Sequence, residues 1–162
     1  MFRHGSSDRR DRGSTAVEFA LTLPIFIILF IGIIEFGWYF FVQHTLQYAT
    51  REGMRLALVG RTLNDSGGNP MTREASIIQT IRDNAMLPII RNGIMVSIYP
   101  VNPNFTDPTG WETQQDAGDP GDYMRVRSRY VHAFFTPLIG GFFSGGGITI
   151  QAEGTYRNEL FD

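Results

Sequence analysis

The sequence predicts an α+β protein in which a long N-terminal membrane-spanning helix is followed by a second, short helix and a small antiparallel sheet of about three strands. Three observations lead there. Phe19 to Phe41 is an apolar run of membrane length that passes without a break into helical spacing as far as Val59. Ile77, Ile78, Ile81 and Ala85 then share one face of a helix, and after them the apolar period changes to two in three separate stretches.

Crossing a hydrocarbon core of about 30 Å takes about 20 apolar residues at 1.5 Å rise. Phe19 to Phe41 supplies them, interrupted by Thr22, Pro24, Gly32, Glu35 and Gly37. Arg3, Arg9, Arg10 and Arg12 stand before the run against only Asp8 and Asp11, which places the N-terminus in the cytoplasm and the rest of the chain outside. Trp38 and Tyr39 are suited to the far interface. A cleavable secretory signal would have a shorter apolar core and a small-residue site after it; Gln43 to Ala49 offers none. An uncleaved signal anchor holding a periplasmic binding or scaffold module remains open on these residues.

Beyond Phe41, the positions Val42, Leu46, Ala49, Gly53, Leu56 and Val59 fall at spacings of three and four, with Gln43, Gln47, Arg51 and Arg55 on another side. A helix over 14–59 would be about 65 to 70 Å long, with its lower half packed on the remaining chain. Gly60 and the turn-rich Asn64 to Pro70 end it. Pro70 is the expected first position of the second helix, which stops before Leu87-Pro88. The strands are read from Ile94, Val96 and Ile98 alternating with Met95, Ser97 and Tyr99; from Met124, Val126, Ser128 and Tyr130 alternating with Arg125, Arg127 and Arg129; and from Ile148, Ile150 and Ala152 alternating with Thr149, Gln151 and Glu153. Asn102 to Gly121 is expected as a long polar loop. The resulting organisation is a cytoplasmic leader over 1–13, a stem helix over 14–59 with its membrane part at about 19–41, and an extracytoplasmic α+β head over 60–162.

Composition narrows the function. A head of about 120 residues, counted from the end of the span, is enough for one compact domain. Cysteine is absent, which removes disulfides, thiol nucleophiles and cysteine metal sites. All 14 basic residues are Arg and the net charge is -2, so there is no basic footprint for nucleic acid. His4, His44 and His132 make no pair at metal spacing and no Gly-x-Ser-x-Gly elbow is present, so no catalytic residue, cofactor or metal is expected.

Glu18 stands out because a carboxylate in a bilayer is costly and reads as functional. It is either paired with a cationic partner or solvated by headgroups in the first turns of the helix, where the dipole favours an acid.

Gly13-Ser14-Thr15-Ala16-Val17-Glu18-Phe19-Ala20-Leu21-Thr22-Leu23-Pro24 resembles the N-terminal signature of the TadE-like proteins of the tight-adherence (Tad, Flp-type) pilus system: glycine, four small or apolar residues, Glu, an aromatic, then a Leu-rich run with Pro. The likeness extends loosely to Glu35 and to Ala49, Arg51, Glu52, Gly53 and Arg55; beyond about residue 60 it is one of layout only. The resemblance implies a minor pseudopilin with a pilin-like stem, cut by a dedicated prepilin peptidase between Gly13 and Ser14, with Glu18 and Phe19 serving recognition and assembly. After the cut, Glu18 would be the fifth residue, about 6 Å along the helix from the Ser14 ammonium of its own subunit, and able to pair with it or with a neighbour's. The implied role is assembly or priming of a type IVb-like pilus used in cell adhesion. The implied partners are the prepilin peptidase, other Tad pilins and pseudopilins, inner-membrane assembly proteins and the lipid bilayer. The implied place is the bacterial inner membrane, single-pass with the head periplasmic, or the extracellular filament.

Three constellations stay open on the residues. Asp107, Asp116, Asp119 and Asp122 with Asn102 and Asn104 carry oxygens suited to Ca²⁺ but match no EF-hand spacing, and such residues fill ordinary surface loops. Arg125, Arg127 and Arg129 form a ladder on one strand face, offered either to a carboxylate-bearing partner or headgroups, or to solvent with a cross-strand pair to Glu153. Phe134 to Gly147 sets four Phe among glycines, a segment that either folds under the sheet or touches a neighbour or the membrane.

Overall fold

The computed structural model describes residues 7–160. It shows an α+β fold: a long N-terminal helix, three shorter ones and a three-stranded antiparallel sheet. The first helix, α1, spans Ser7–Leu58 and carries Pro24 within it. The expected leader boundary at 13/14 thus falls inside a helix, and residues 1–6 of the leader, with Arg3 and His4, lie outside the described residues. Two compact units divide the chain, the first ending at Trp38 and the second beginning at Tyr39.

In the first unit the apolar side chains face outward: Phe19, Leu21, Ile25, Phe26, Leu29, Phe30 and Ile33 are all exposed. Such exposure is stable only in a nonaqueous surrounding, and Gly13–Leu58 is long and apolar enough to cross a membrane. This helix is suited to anchor the chain in a membrane.

The second unit builds its core on the later turns of α1. Val42, Leu46, Ala49 and Ala57 are buried there with Gly53, while Val59 is exposed and Leu56 half-buried. The buried stripe therefore drifts to Ala57, where an ideal helix carries it, and not to the expected Leu56 and Val59. The second helix, α2 (Arg73–Asn84), starts three residues later than Pro70 indicates. Thr72 is its cap, accepting from the Ala75 N–H at 3.2 Å. Pro70 instead pairs in an isolated antiparallel bridge with Asn64. Ile77, Ile81 and Ala85 are buried as their spacing requires. A helix absent from the sequence reading, α3 (Pro88–Gly93), follows at once, started by Pro88 at its first turn and burying Ile90.

The strands are β1 (Met95–Pro100), β2 (Tyr123–Ala133) and β3 (Gly147–Arg157), in the order β1-β2-β3. Register aligns Val96, Ser128 and Ala152 in one row and Ile98, Val126 and Gly154 in the next. These rows face α1: the Thr50 and Ser128 hydroxyls hydrogen-bond at 2.9 Å, and a Cβ at Gly154 would overlap the Met54 sulfur.

The other sheet face overturns an expectation. Ser97 and Tyr99 are as buried as Val96 and Ile98, so β1 shows no alternation of exposure. The polar segment from Asn102 to Gly121 folds over this face. Trp111, opening a 3₁₀ turn over Trp111–Thr113, packs against Tyr99 with ring centroids 5.7 Å apart. Ile98 exchanges hydrogen bonds with the Gln114 carbonyl and the Asp116 N–H, each 2.9 Å. A segment rich in Asn, Asp, Gly and Pro thus acts as a cover. Between β2 and β3 lies a one-turn helix, α4 (Pro137–Gly140).

Candidate functional site

Gly13, Ser14, Glu18 and Phe19 sit on consecutive turns of α1. The Ser14 hydroxyl donates to Glu18 Oε1 at 3.2 Å, an i to i+4 contact on an exposed face. Thr22 donates back to the Glu18 carbonyl at 3.0 Å and reaches the Phe19 carbonyl at 3.2 Å. Phe19 is 62% exposed. A Cβ at Gly13 would meet nothing within 4 Å, so internal packing does not require glycine there. Glycine in a helix costs about 1 kcal/mol relative to alanine. The same open space surrounds Gly32 and Gly37 in the same helix. The Glu18 carboxylate thus reaches back one turn, to Ser14.

The second unit holds a polar cluster built by the cover. Asp107 is the hub: Arg125 pairs with its Oδ1, Arg127 Nη2 lies 2.9 Å from its Oδ2, and the Tyr99 hydroxyl donates to Oδ1 at 2.9 Å. Arg127, 6% exposed, also pairs with Glu153, its register partner on β3. The Arg127 and Arg129 guanidinium groups lie 4.1 and 4.8 Å from the Trp111 ring centroid, and Arg129 donates to the Glu112 carbonyl at 2.7 Å. Burial opposes ionisation of Asp107, but the hydrogen bonds from Tyr99, Arg127 and Arg125 outweigh it and hold its pKa below the usual 3.8. Burial, then the bond to Asp107, pushes the Tyr99 pKa up to about 12. The arginine ladder thus meets the chain's own loop, with Arg127 buried and Arg125 and Arg129 half-buried, and the cross-strand pair to Glu153 is present.

The remaining loop carboxylates serve local backbone. Asp116 accepts from the Gly118 N–H and Asp122 from the Asp119 N–H, while the Asn102 side chain accepts from the Asn104 and Thr106 N–H groups. Among the described residues no group of three or more His, Asp or Glu is placed to hold a metal ion. His132 is buried, edge-on to Tyr39 and Phe134.

The sequence reading missed a second hub. Arg73 donates to the Gly118 carbonyl at 2.7 Å and reaches Ala57 O and Asn158 Oδ1 at 3.4 and 3.3 Å. Buried Asn158 donates to the Ala117 and Asp119 carbonyls. Together they tie the ends of α1, α2 and β3 to the cover. Nothing periodic signals these two residues, because their partners are distant in sequence.

A search of curated proteins and of solved structures finds no match to this chain. The family model of the TadE-like proteins matches residues 13–55, beginning at Gly13 and ending in the last turn of α1, so that over this segment the chain is similar to the TadE-like proteins.

Proposed function

We propose that this chain is a minor pseudopilin that takes part in the assembly or priming of a Tad pilus, made as an inner-membrane precursor with a cytoplasmic leader over 1–13 and cut by a prepilin peptidase between Gly13 and Ser14. The observation that carries the reading is the TadE-like match, which starts at Gly13 itself. Three features support it: a glycine with no packing reason, an exposed Phe19, and a Glu18 that in the uncut chain is met by the Ser14 hydroxyl. On cleavage the same Ser14 gains an ammonium, and the contact becomes a charge pair in a low-dielectric setting, within the subunit or with a neighbour. The head is a structural module: Asp107, Arg125, Arg127 and Glu153 pair with one another and hold the sheet face closed.

Intact-mass and N-terminal peptide measurement on protein isolated from membranes of cells producing Tad pili tests this. Loss of Met1 to Gly13 is the expected result. A mainly full-length chain would leave an uncleaved, signal-anchored module in its place.

A further inference from the structure

The segment between β2 and β3 leaves a compact apolar surface. Phe134 and Phe143 turn inward and stack, centroids 4.6 Å apart, with Phe134 edge-on to buried His132 and His132 edge-on to Tyr39. Leu138 and Phe142 point the other way, 59% and 81% exposed, and Phe135, three residues before Leu138, is 63% exposed. Backbone bonds from Gly140 to Thr136 and from Gly141 to Pro137 fix the turn between Phe135 and Phe142. From Tyr130 to Ala152 the chain has no Asp, Glu, Lys or Arg.

The direction of α1 within this unit says which end of the sheet the surface occupies. Tyr39 meets His132, Thr50 meets Ser128, and the Leu58 carbonyl accepts from the Glu159 N–H at 3.0 Å. Traced from Leu58 back to Tyr39, the helix therefore runs from the sheet end bearing Asp119, Asp122, Arg157 and Glu159 toward the end bearing Leu138 and Phe142. Tyr39, Phe40 and Phe41 are also the last residues of the apolar run that forms the anchor. Within this unit the uncharged turn thus lies at the end that bears Tyr39, its first residue, and the charged loops lie at the other.

We propose that the turn over 135–142 is a second membrane contact, with Leu138 and Phe142 inserted at the headgroup and acyl boundary of the leaflet from which the head emerges. Phe and Leu without charge are the residues that enter this layer, while an apolar surface of this kind is unfavourable in water. A single helix leaves a head free to rotate and tilt; a second contact fixes which face of the sheet is turned toward neighbours. The proposal rests on the anchored reading of residues 19–41.

Because the chain has no cysteine, single-cysteine variants each carry one nitroxide. Full-length chain with Leu138→Cys, Ile28→Cys in the anchor or Ser66→Cys in a polar loop is reconstituted in phosphatidylcholine nanodiscs at one chain per disc, and nitroxide accessibility to oxygen and to a water-soluble nickel chelate is measured. The expected result is a severalfold loss of nickel accessibility at 138 relative to 66, with oxygen accessibility between those at 66 and 28, and recovery of nickel accessibility when Phe142→Ser is added. Equal nickel accessibility at 138 and 66, with 28 shielded, overturns the proposal and leaves the anchor standing. Nickel access at 28 overturns the anchor itself. Shielding of 138 that appears only with two chains per disc, together with dipolar coupling between labels, overturns the lipid contact in favour of a second copy.

Discussion

Gly53 of α1 lies so close to Ile81 of α2 that a methyl at position 53 would overlap Ile81 Cγ1, and the Ile77 carbonyl is 3.4 Å from the same point. The two helices touch through the missing side chain. Gly53→Ala is expected to destabilise the head by up to about 2 kcal/mol, because overpacking of about 1–3 kcal/mol is set against a helix-propensity gain of about 1 kcal/mol. Urea unfolding of the full chain in detergent measures this. In a double-mutant cycle with Ile81→Ala, which removes both Cγ1 and Cδ1, the cost of Gly53→Ala should shrink, and additivity of the two changes would show that the contact is not the cause.

Asp107 gives the head an acid limit. Its folded pKa is depressed, so its contribution is complete above the ordinary value of 3.8 and is lost as the pH falls through the lower folded value. Stability should therefore decline below about pH 4. Asp107→Asn should lower stability at neutral pH by about 1–3 kcal/mol, since Arg127 keeps only Glu153, and should flatten the acid decline. A variant that keeps the full acid slope would assign that slope to other carboxylates.

Glu18→Ala should leave processing and membrane insertion largely intact yet abolish piliation, because the Ser14 ammonium loses its partner. Glu18→Asp should be intermediate. If Glu18→Ala is not processed, the peptidase reads the residue; normal processing and piliation would reduce Glu18 to an acid solvated at the start of the helix. Gly13→Leu should block processing while leaving insertion unchanged, as judged by membrane fractionation and intact mass.

A chain beginning at Tyr39 should fold, because it keeps Val42, Leu46, Ala49, Gly53 and Ala57 under α2 and the sheet. One beginning at Gly60 should lack a cooperative urea transition and bind hydrophobic dye, since the sheet rows at Ser128 and Gly154 lose their cover. Comparable transitions in both would mean that the later turns of α1 are dispensable.

The parts of the fold carried by period and spacing were legible in the sequence. Strand period two placed Val96, Val126 and Ala152 on one face, and the apolar run placed the anchor. What periodicity does not encode was missed: Asp107 meets Arg125 and Arg127 across 18 and 20 positions, and a loop composition suited to solvent gave no sign that Trp111 would close the second face. Gly53 read as a weak apolar position because its meaning lies in a neighbouring helix. The segment at 13–19, where the family match begins, is exposed and makes only local contacts.

The bond exchange at Ile98 also decides how the sheet can grow. Both polar backbone atoms of Ile98 on the outer side of β1 are occupied by Gln114 and Asp116, so that edge is closed to an incoming strand. Among the described residues the outer side of β3 carries no fourth strand, and its row of donors and acceptors runs for 11 residues beside Gln151, Glu153 and Thr155. Strand addition from another molecule therefore has one side to use, and heads joined in this way would form pairs through β3, not open-ended stacks.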